Sequence, residues 1–244
     1  LSQSWQLHAE AGIFALEKIY TIAPMFRAEK SRTTRHLAEA WLAESEAAWL
    51  DFDGLLKQEE DLITYVVQHV LKTCKKELKE LGRDTKDLES LKTPFARLKY
   101  ADALKKLGQK WGYDLTDKDE RELVAQLGKP IFLTHFPRDM KAFYMKPDPK
   151  EPKTVLGADL LAPGIGEISG GSERIVDEKE LLKSLKMFKL KEEDYGWYMD
   201  LRKFGSVPHS GMGLGIERLV MWLTGMPHIL DTIPFPRTMY RLSP

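Results

Sequence analysis

The sequence predicts an α+β protein, an antiparallel β-sheet flanked by helices. Two observations point there. Strand-like runs gather near the start and in the second half of the chain without the regular strand–helix alternation that builds a parallel sheet. A long amphipathic helical pattern between them offers a single apolar stripe to pack on that sheet. A length of 244 residues, 43% of them hydrophobic, is enough for one large domain with its own core.

In chain order, residues 6–18 carry Leu7, Ala11, Phe14 and Ala15 at helical spacing, and β-branched and aromatic residues favour a strand over 19–27. Residues 31–34, rich in Ser, Arg and Thr, read as a cationic hairpin tip. The run 37–50 alternates as a strand, with Ala40, Leu42, Glu44 and Glu46 on one face and Trp41, Ala43, Ser45, Ala47 and Trp49 on the other. With Asp53 as its N-cap, a helix bearing Leu55, Leu56, Leu62, Ile63, Val66, Val67, Val70 and Leu71 runs to just before Gly82. Residues 83–130 read as a connecting subregion of short helices with no chemistry of their own. Strand-like runs return at 131–136, 142–146, 155–161 and 165–169, helical ones at 178–187 and 192–203. The glycine-rich stretch 211–215 then leads into an apolar helix over 216–224.

Composition narrows the function classes. The 37 basic and 37 acidic side chains cancel, so a nucleic-acid partner does not follow from overall charge. Cys74 is the single cysteine, which excludes an intrachain disulfide and a cysteine-based zinc site and fits a reducing, cytoplasmic setting. His8, His69, His135 and His228 show no clustered metal-ligand spacing. No apolar run of about 18 residues and no basic-then-apolar leader occurs, so neither membrane insertion nor export is expected. The chain opens at Leu1 without an initiator methionine and reads as a fragment.

Two constellations carry chemistry. The first is Phe26-Arg27-Ala28-Glu29, a loop, then Arg35-His36 and the carboxylates Glu39, Glu44 and Glu46. Activation of a carboxylic acid by ATP needs such cations, because negative charge spreads over the phosphates as the acyl oxygen attacks. Taken singly, each arginine is more often a solvated surface cation. The second is Gly211-Met212-Gly213-Leu214-Gly215-Ile216-Glu217-Arg218; its glycine spacing is not that of a dinucleotide-binding loop, and close packing alone could account for it. Between them stand Asp159 and Glu167. Mg²⁺ takes oxygen ligands and bridges substrate phosphates through one or two carboxylates, which makes Glu167 the first choice of ligand and Asp159 the second.

The stretch FRAEKSRTTRHLAE resembles motif 2, and GMGLGIERL motif 3, of the class II aminoacyl-tRNA synthetases. The blocks LSQSWQL, LAPGIGEISGGSERI, DLRKFGSVPHSGMGLGIERL and TIPFPRT extend the resemblance over nearly the whole chain, to the catalytic domain of the class IIb group and within it to asparaginyl enzymes of archaeal type. The resemblance implies the class II catalytic fold across residues 1–244, with motif 2 at about 24–50 and motif 3 at about 211–224. Motif 1 and an N-terminal anticodon-binding barrel are expected outside this stretch.

By the same resemblance Arg27 and Arg218 are catalytic and contact ATP; Glu29 reads the adenine amino group, Arg35 and His36 hold the distal phosphates, and Gly215 lets ATP lie against its strand. Ser4 and Gln6 hold the α-amino group, Glu44 the side-chain amide, Arg174 anchors the substrate and His209 lines its pocket. Glu167 and Asp159 carry Mg²⁺. The implied reaction is asparagine plus ATP to asparaginyl adenylate, then transfer to tRNA(Asn) by a cytoplasmic homodimer without a protein nucleophile. Aspartyl enzymes carry a lysine where this chain has Ala9 and a shorter acid where it has Glu44, which favours asparagine. Ala40, at a position where the family stacks an aromatic ring on adenine, together with Leu42 and Ser45, points to an altered pocket face. An aspartyl or relaxed-specificity synthetase, an amide-forming paralogue and a non-catalytic module are the alternative readings.

Overall fold

A computed structural model describes residues 1–28 and 34–243. Helix α1 (Gln6–Leu16) turns at Glu17, whose φ is 58°, into strand β1 (Lys18–Phe26). β1 pairs antiparallel with β2 (Glu39–Ala48), from Lys18↔Ala47 to Phe26↔Glu39. The alternation expected in β2 is present: Ala40, Leu42, Glu44 and Glu46 are buried, and Trp41 is exposed on the opposite face.

Helix α2 (Phe52–Thr73) begins two residues earlier than the sequence suggests. Asp51, not Asp53, is its N-cap: the backbone there is extended and the carboxylate accepts from Gly54 N at 2.8 Å. Asp53 sits in the first turn and pairs with Arg97 at 2.5 Å. The helix breaks at Cys74, after Thr73 Oγ1 bonds back to the His69 carbonyl, and restarts as α3 (Lys75–Glu80).

The connecting subregion holds α4 (Lys86–Glu89), a short strand β3 (Ala96–Lys99), α5 (Tyr100–Leu107) and α6 (Asp117–Leu127). β3 was not legible in the sequence and forms the one parallel pair among the described residues, with β4 (Ile131–Thr134), because α5 and α6 carry the chain back across the sheet between them. Residues 142–146 are not a strand; only Met145 makes an isolated bridge, to Arg174. There follow β5 (Gly157–Ala162), β6 (Gly166–Glu173), α7 (Glu178–Met187), α8 (Gly196–Lys203), β7 (His209–Gly215) and α9 (Ile216–Thr224). The second predicted helix, over 192–203, is split into a 3-10 turn and α8.

The seven strands lie in the order β1-β2-β7-β6-β5-β4-β3. One face packs on α2 and α9 through Leu55, Leu56, Ile63, Val67, Met212, Leu214 and Trp222. The other presents small residues in rows across the strands. Glu44 stands opposite Gly213, Gly213 opposite Gly170, and Gly170 opposite Asp159. A neighbouring row runs Glu46, Gly211, Ser172, Gly157. Residues directly opposite in antiparallel strands share a face, so this topology lines up two acidic groups with bare backbone between them.

Leu55 is 0% exposed in this core. Leu55→Ala is expected to destabilise the fold by about 3 kcal/mol, the usual size of a buried leucine truncation, readable as a lower urea midpoint at unchanged slope.

Candidate active site

The ends of β1, β2, β6 and β7 surround one cavity lined by Arg27, Arg35, His36, Glu167, Gly215 and Arg218. Six of the seven residues assigned to ATP from the sequence therefore meet at one place. The seventh, Glu29, and the hairpin tip apart from Thr34 lie outside the described residues. Met25, Leu37, Ala40, Leu42 and Ile229 form the apolar wall of the cavity.

Arg218 and Arg35 are held by carboxylates and carbonyls. Arg218 Nη1 donates to the Glu167 carbonyl at 3.0 Å and to Glu167 Oε2 at 3.1 Å, and its Nη2 lies 3.4 Å from His36 Nε2. Arg35 pairs with Glu120 and Asp117 of α6, each at 2.5 Å. Burial works to raise the Glu167 carboxyl, but Arg218, Lys141 and Arg35 hold it down at about 2. Burial lifts Asp159 to about 6, against the pull of Lys141, whose Nζ lies 2.5 Å from Asp159 Oδ2, and with the help of Glu167.

The second oxygens of these two acids face each other across Gly170. A Cβ on Gly170 would stand 3.4 Å from both Asp159 Oδ1 and Glu167 Oε1. Two carboxylate oxygens converging on bare backbone fit a hard divalent cation that draws its other ligands from phosphate and water. Among the described residues no three His, Cys, Asp or Glu side chains make a self-sufficient cage.

At the other end of the rows the residues assigned to the amino acid are already bonded to one another. Ser4 Oγ donates to Glu44 Oε1 at 2.5 Å, and Trp5 N donates to Glu44 Oε2 at 3.0 Å. Arg174, 2% exposed, forms a two-point pair with Glu46 and donates to Ser172 Oγ at 2.6 Å. Gln6 Nε2 donates to Glu10 Oε1 at 3.1 Å.

His209 is fully buried, with Nδ1 2.7 Å from the Val207 carbonyl and Nε2 3.0 Å from Glu10 Oε2. The same Glu10 oxygen accepts from Arg202 at 2.6 Å and from Tyr198 at 2.7 Å. Burial alone would raise the Glu10 carboxyl, yet His209 and Arg202 keep it below the ordinary carboxylate range. Sequence reading missed Glu10, Lys141, Asp117 and Glu120. Asp117 and Glu120 carried only the signal of acids at a helix start, which serve the helix dipole in any protein, and Glu10 and Lys141 carried none.

The family described as tRNA synthetases class II (D, K and N) matches residues 1–239. The chain belongs to the class II tRNA synthetases. It is 52% identical, over its full length, to an asparagine–tRNA ligase from Pelotomaculum thermopropionicum, of which it covers 58%. It superposes on an asparaginyl-tRNA synthetase from Pyrococcus horikoshii, solved with asparaginyl-adenylate, with a TM-score of 0.96 at 47% identity, again over 100% of this chain and 58% of that one. An aspartyl-tRNA synthetase from Entamoeba histolytica gives 0.90 at 31% identity, covering 100% of this chain and 53% of that one. The chain thus spans somewhat more than half the length of the synthetases it matches.

Beneath the site, Glu59 of α2 is fully buried, accepts from Ser169 Oγ at 2.8 Å, and is pushed up by burial to about 8 despite that bond. A carboxyl raised on folding stabilises most below its unfolded value and loses that contribution as pH rises through the folded one. Urea unfolding of wild type and Glu59→Gln between pH 5 and pH 9 is expected to show wild type losing ground to the variant up to about pH 8. Parallel curves would mean that Glu59 is ionised throughout.

Proposed function

We propose that this chain is the catalytic domain of an asparagine–tRNA ligase, activating asparagine with ATP and charging tRNA(Asn). One observation carries the reading: Arg27, Arg35, His36, Arg218 and Glu167 converge on one cavity at the edge of a glycine floor that leads directly to the Glu44 and Arg174 groups. The whole of residues 1–244 is one catalytic domain in this reading, with motif 2 at about 24–50, a connecting subregion at about 83–130 and motif 3 at about 211–224. Motif 1 and the anticodon-binding barrel belong to the remainder of the protein.

In this scheme the triphosphate lies among the three arginines and His36, and the asparagine carboxylate approaches the α-phosphate in line. Arg27 and Arg218 neutralise charge that grows on the phosphate oxygens in the transition state, in a site already arranged before ATP arrives. Glu29 reads the adenine amino group and Gly215 gives the nucleotide room beside β7. Mg²⁺ would be held by Glu167 and Asp159 and would offset charge on the leaving pyrophosphate. No side chain becomes covalently attached.

Ser4 and Gln6 meet the α-ammonium, and Glu44 and Arg174 meet the side chain. Asparagine is favoured over aspartate on charge. Arg174 already carries the Glu46 carboxylate, Glu44 stands nearby, and Ala9 offers no further cation. An incoming carboxylate would be buried without a counter-charge, which costs several kcal/mol, whereas an amide can donate to Glu44 and accept from Arg174. His209 acts through the Glu10 cluster behind the pocket.

A homodimer is part of the reading. Tyr20 and Ile22 of edge strand β1 and Trp41 of β2 leave an apolar sheet face exposed, the kind of patch that marks an interface. Among the described residues no helix is long and apolar enough to cross a membrane, and a cytoplasmic location rests on the family and the single cysteine.

Asparagine-dependent exchange of labelled pyrophosphate into ATP tests the reading in the full-length protein. Asparagine is expected to support exchange and aspartate to be at least about 100-fold poorer, as a buried unpaired charge requires. Arg218→Ala is expected to lower the rate by about 100-fold or more, the size of one lost transition-state donor. Exchange with aspartate alone overturns the substrate; exchange unaffected by Arg218→Ala overturns the site.

A further inference from the structure

We propose that Glu120 and Asp117, in the first turn of α6, are positioning residues of the ATP site, holding the Arg35 guanidinium in place and tying it to Glu167. The proposal rests on the adenylation reading above and extends it into the connecting subregion, which shows no chemistry in its sequence.

Helix α6 starts from a capping box between Thr116 and Asp119, so its first turn is fixed before any ligand is considered. Asp117 and Glu120, three residues apart, share one face of that turn. Both reach Arg35, which is only 7% exposed, with Glu120 Oε2 on Nη1 and Asp117 Oδ1 on Nη2. The same Glu120 oxygen accepts from the backbone N–H of Glu167 at 3.0 Å. Arg218 closes the ring, bonding Glu167 through Nη1 and reaching the Arg35 carbonyl through Nε at 3.4 Å.

The fold makes room for this contact. Gly166 opens β6 with φ 87°, and a Cβ there would stand 2.6 Å from Glu120 Oε2 and 2.7 Å from Arg35 Nη1. A side chain at 166 would therefore collide with the ion pair as well as strain the backbone.

Two roles are open to an acid beside a phosphate-facing arginine. It can compete with the phosphates, or it can order the guanidinium so that the rotamer cost is met before ATP binds. The shared oxygen decides for ordering. Glu120 cannot swing away from Arg35 without also giving up its bond to the half-buried Glu167 N–H, and a donor left unmet out of full reach of water is costly.

The test is pyrophosphate exchange by the full-length enzyme carrying Glu120→Gln or Asp117→Asn, with Lys118→Ala on the same turn as control. Glu120→Gln is expected to raise KM for ATP about tenfold, the size of one charged hydrogen bond. KM for asparagine should stay within about twofold and the melting temperature within a few degrees; Asp117→Asn should show a smaller rise in ATP KM. An unchanged or lowered ATP KM overturns the proposal, as does a joint rise of both KM values with a fall in melting temperature. If wild type shows no asparagine-dependent exchange, the adenylation reading fails, and calorimetric titration with Mg·ATP decides the present point. Binding weakened about tenfold in Glu120→Gln supports it; equal, tighter or undetectable binding by wild type and variant alike overturns it.

Discussion

Everything in the site depends on bare backbone at the centre of the sheet. Between Glu44 on β2 and Asp159 on β5 the only residues across the sheet are Gly213 and Gly170, so two acidic groups look at each other over a floor with no side chains. One row away the Glu46 carboxylate occupies the space a Cβ would take on Gly211, which is how the Arg174 pair fits beneath the surface. Glycine here answers a demand for space and not for an unusual φ. On the α2 side of the same sheet Met212 and Leu214 pack normally into the core.

A second constraint follows from burial. Charges taken out of water must be paired, and leaving one partner alone costs several kcal/mol. Each buried arginine among the described residues obeys: Arg174 with Glu46, Arg202 with Glu10, Arg35 with Glu120 and Asp117, Arg138 with Glu180; half-buried Arg218 does the same with Glu167. Apolar contacts of α2 and α9 against the sheet supply the stability that lets the molecule carry this many ions. What they achieve is fixed orientation, so cations and acids face their ligands without rearranging.

Much of this was legible in the sequence, for identifiable reasons. Period-2 alternation in β2 and the match of α7 and α9 to their predicted limits reflect local patterns that tertiary contacts reinforce. Most of the residues gathered at the cavity were found because two ordered motifs carried them, and Glu167 because an acid between those motifs suits Mg²⁺. Strand β3 was missed because four residues, Ala-Arg-Leu-Lys, carry no periodicity. The cap of α2 fell on Asp51 because two aspartates two residues apart compete and only geometry chooses. Glu120, Lys141 and Glu10 could not be read at all: each gains its meaning from a partner distant in sequence, such as the 85 residues between Arg35 and Glu120. The contact of His209 with Glu10 was out of reach in the same way, since the two lie 199 residues apart.

The most direct measurement is the affinity of Gly213→Ala for a non-hydrolysable asparaginyl-adenylate analogue, taken beside its unfolding curve. A Cβ at 213 would meet nothing closer than Glu44 Cγ at 3.7 Å, an ordinary contact, so the fold should keep its stability. An affinity loss of tenfold or more, about 1.4 kcal/mol or above, is expected, because the new methyl would occupy the floor on which the adenylate is proposed to lie. Unchanged affinity in a stable variant would contradict it and place the substrate elsewhere.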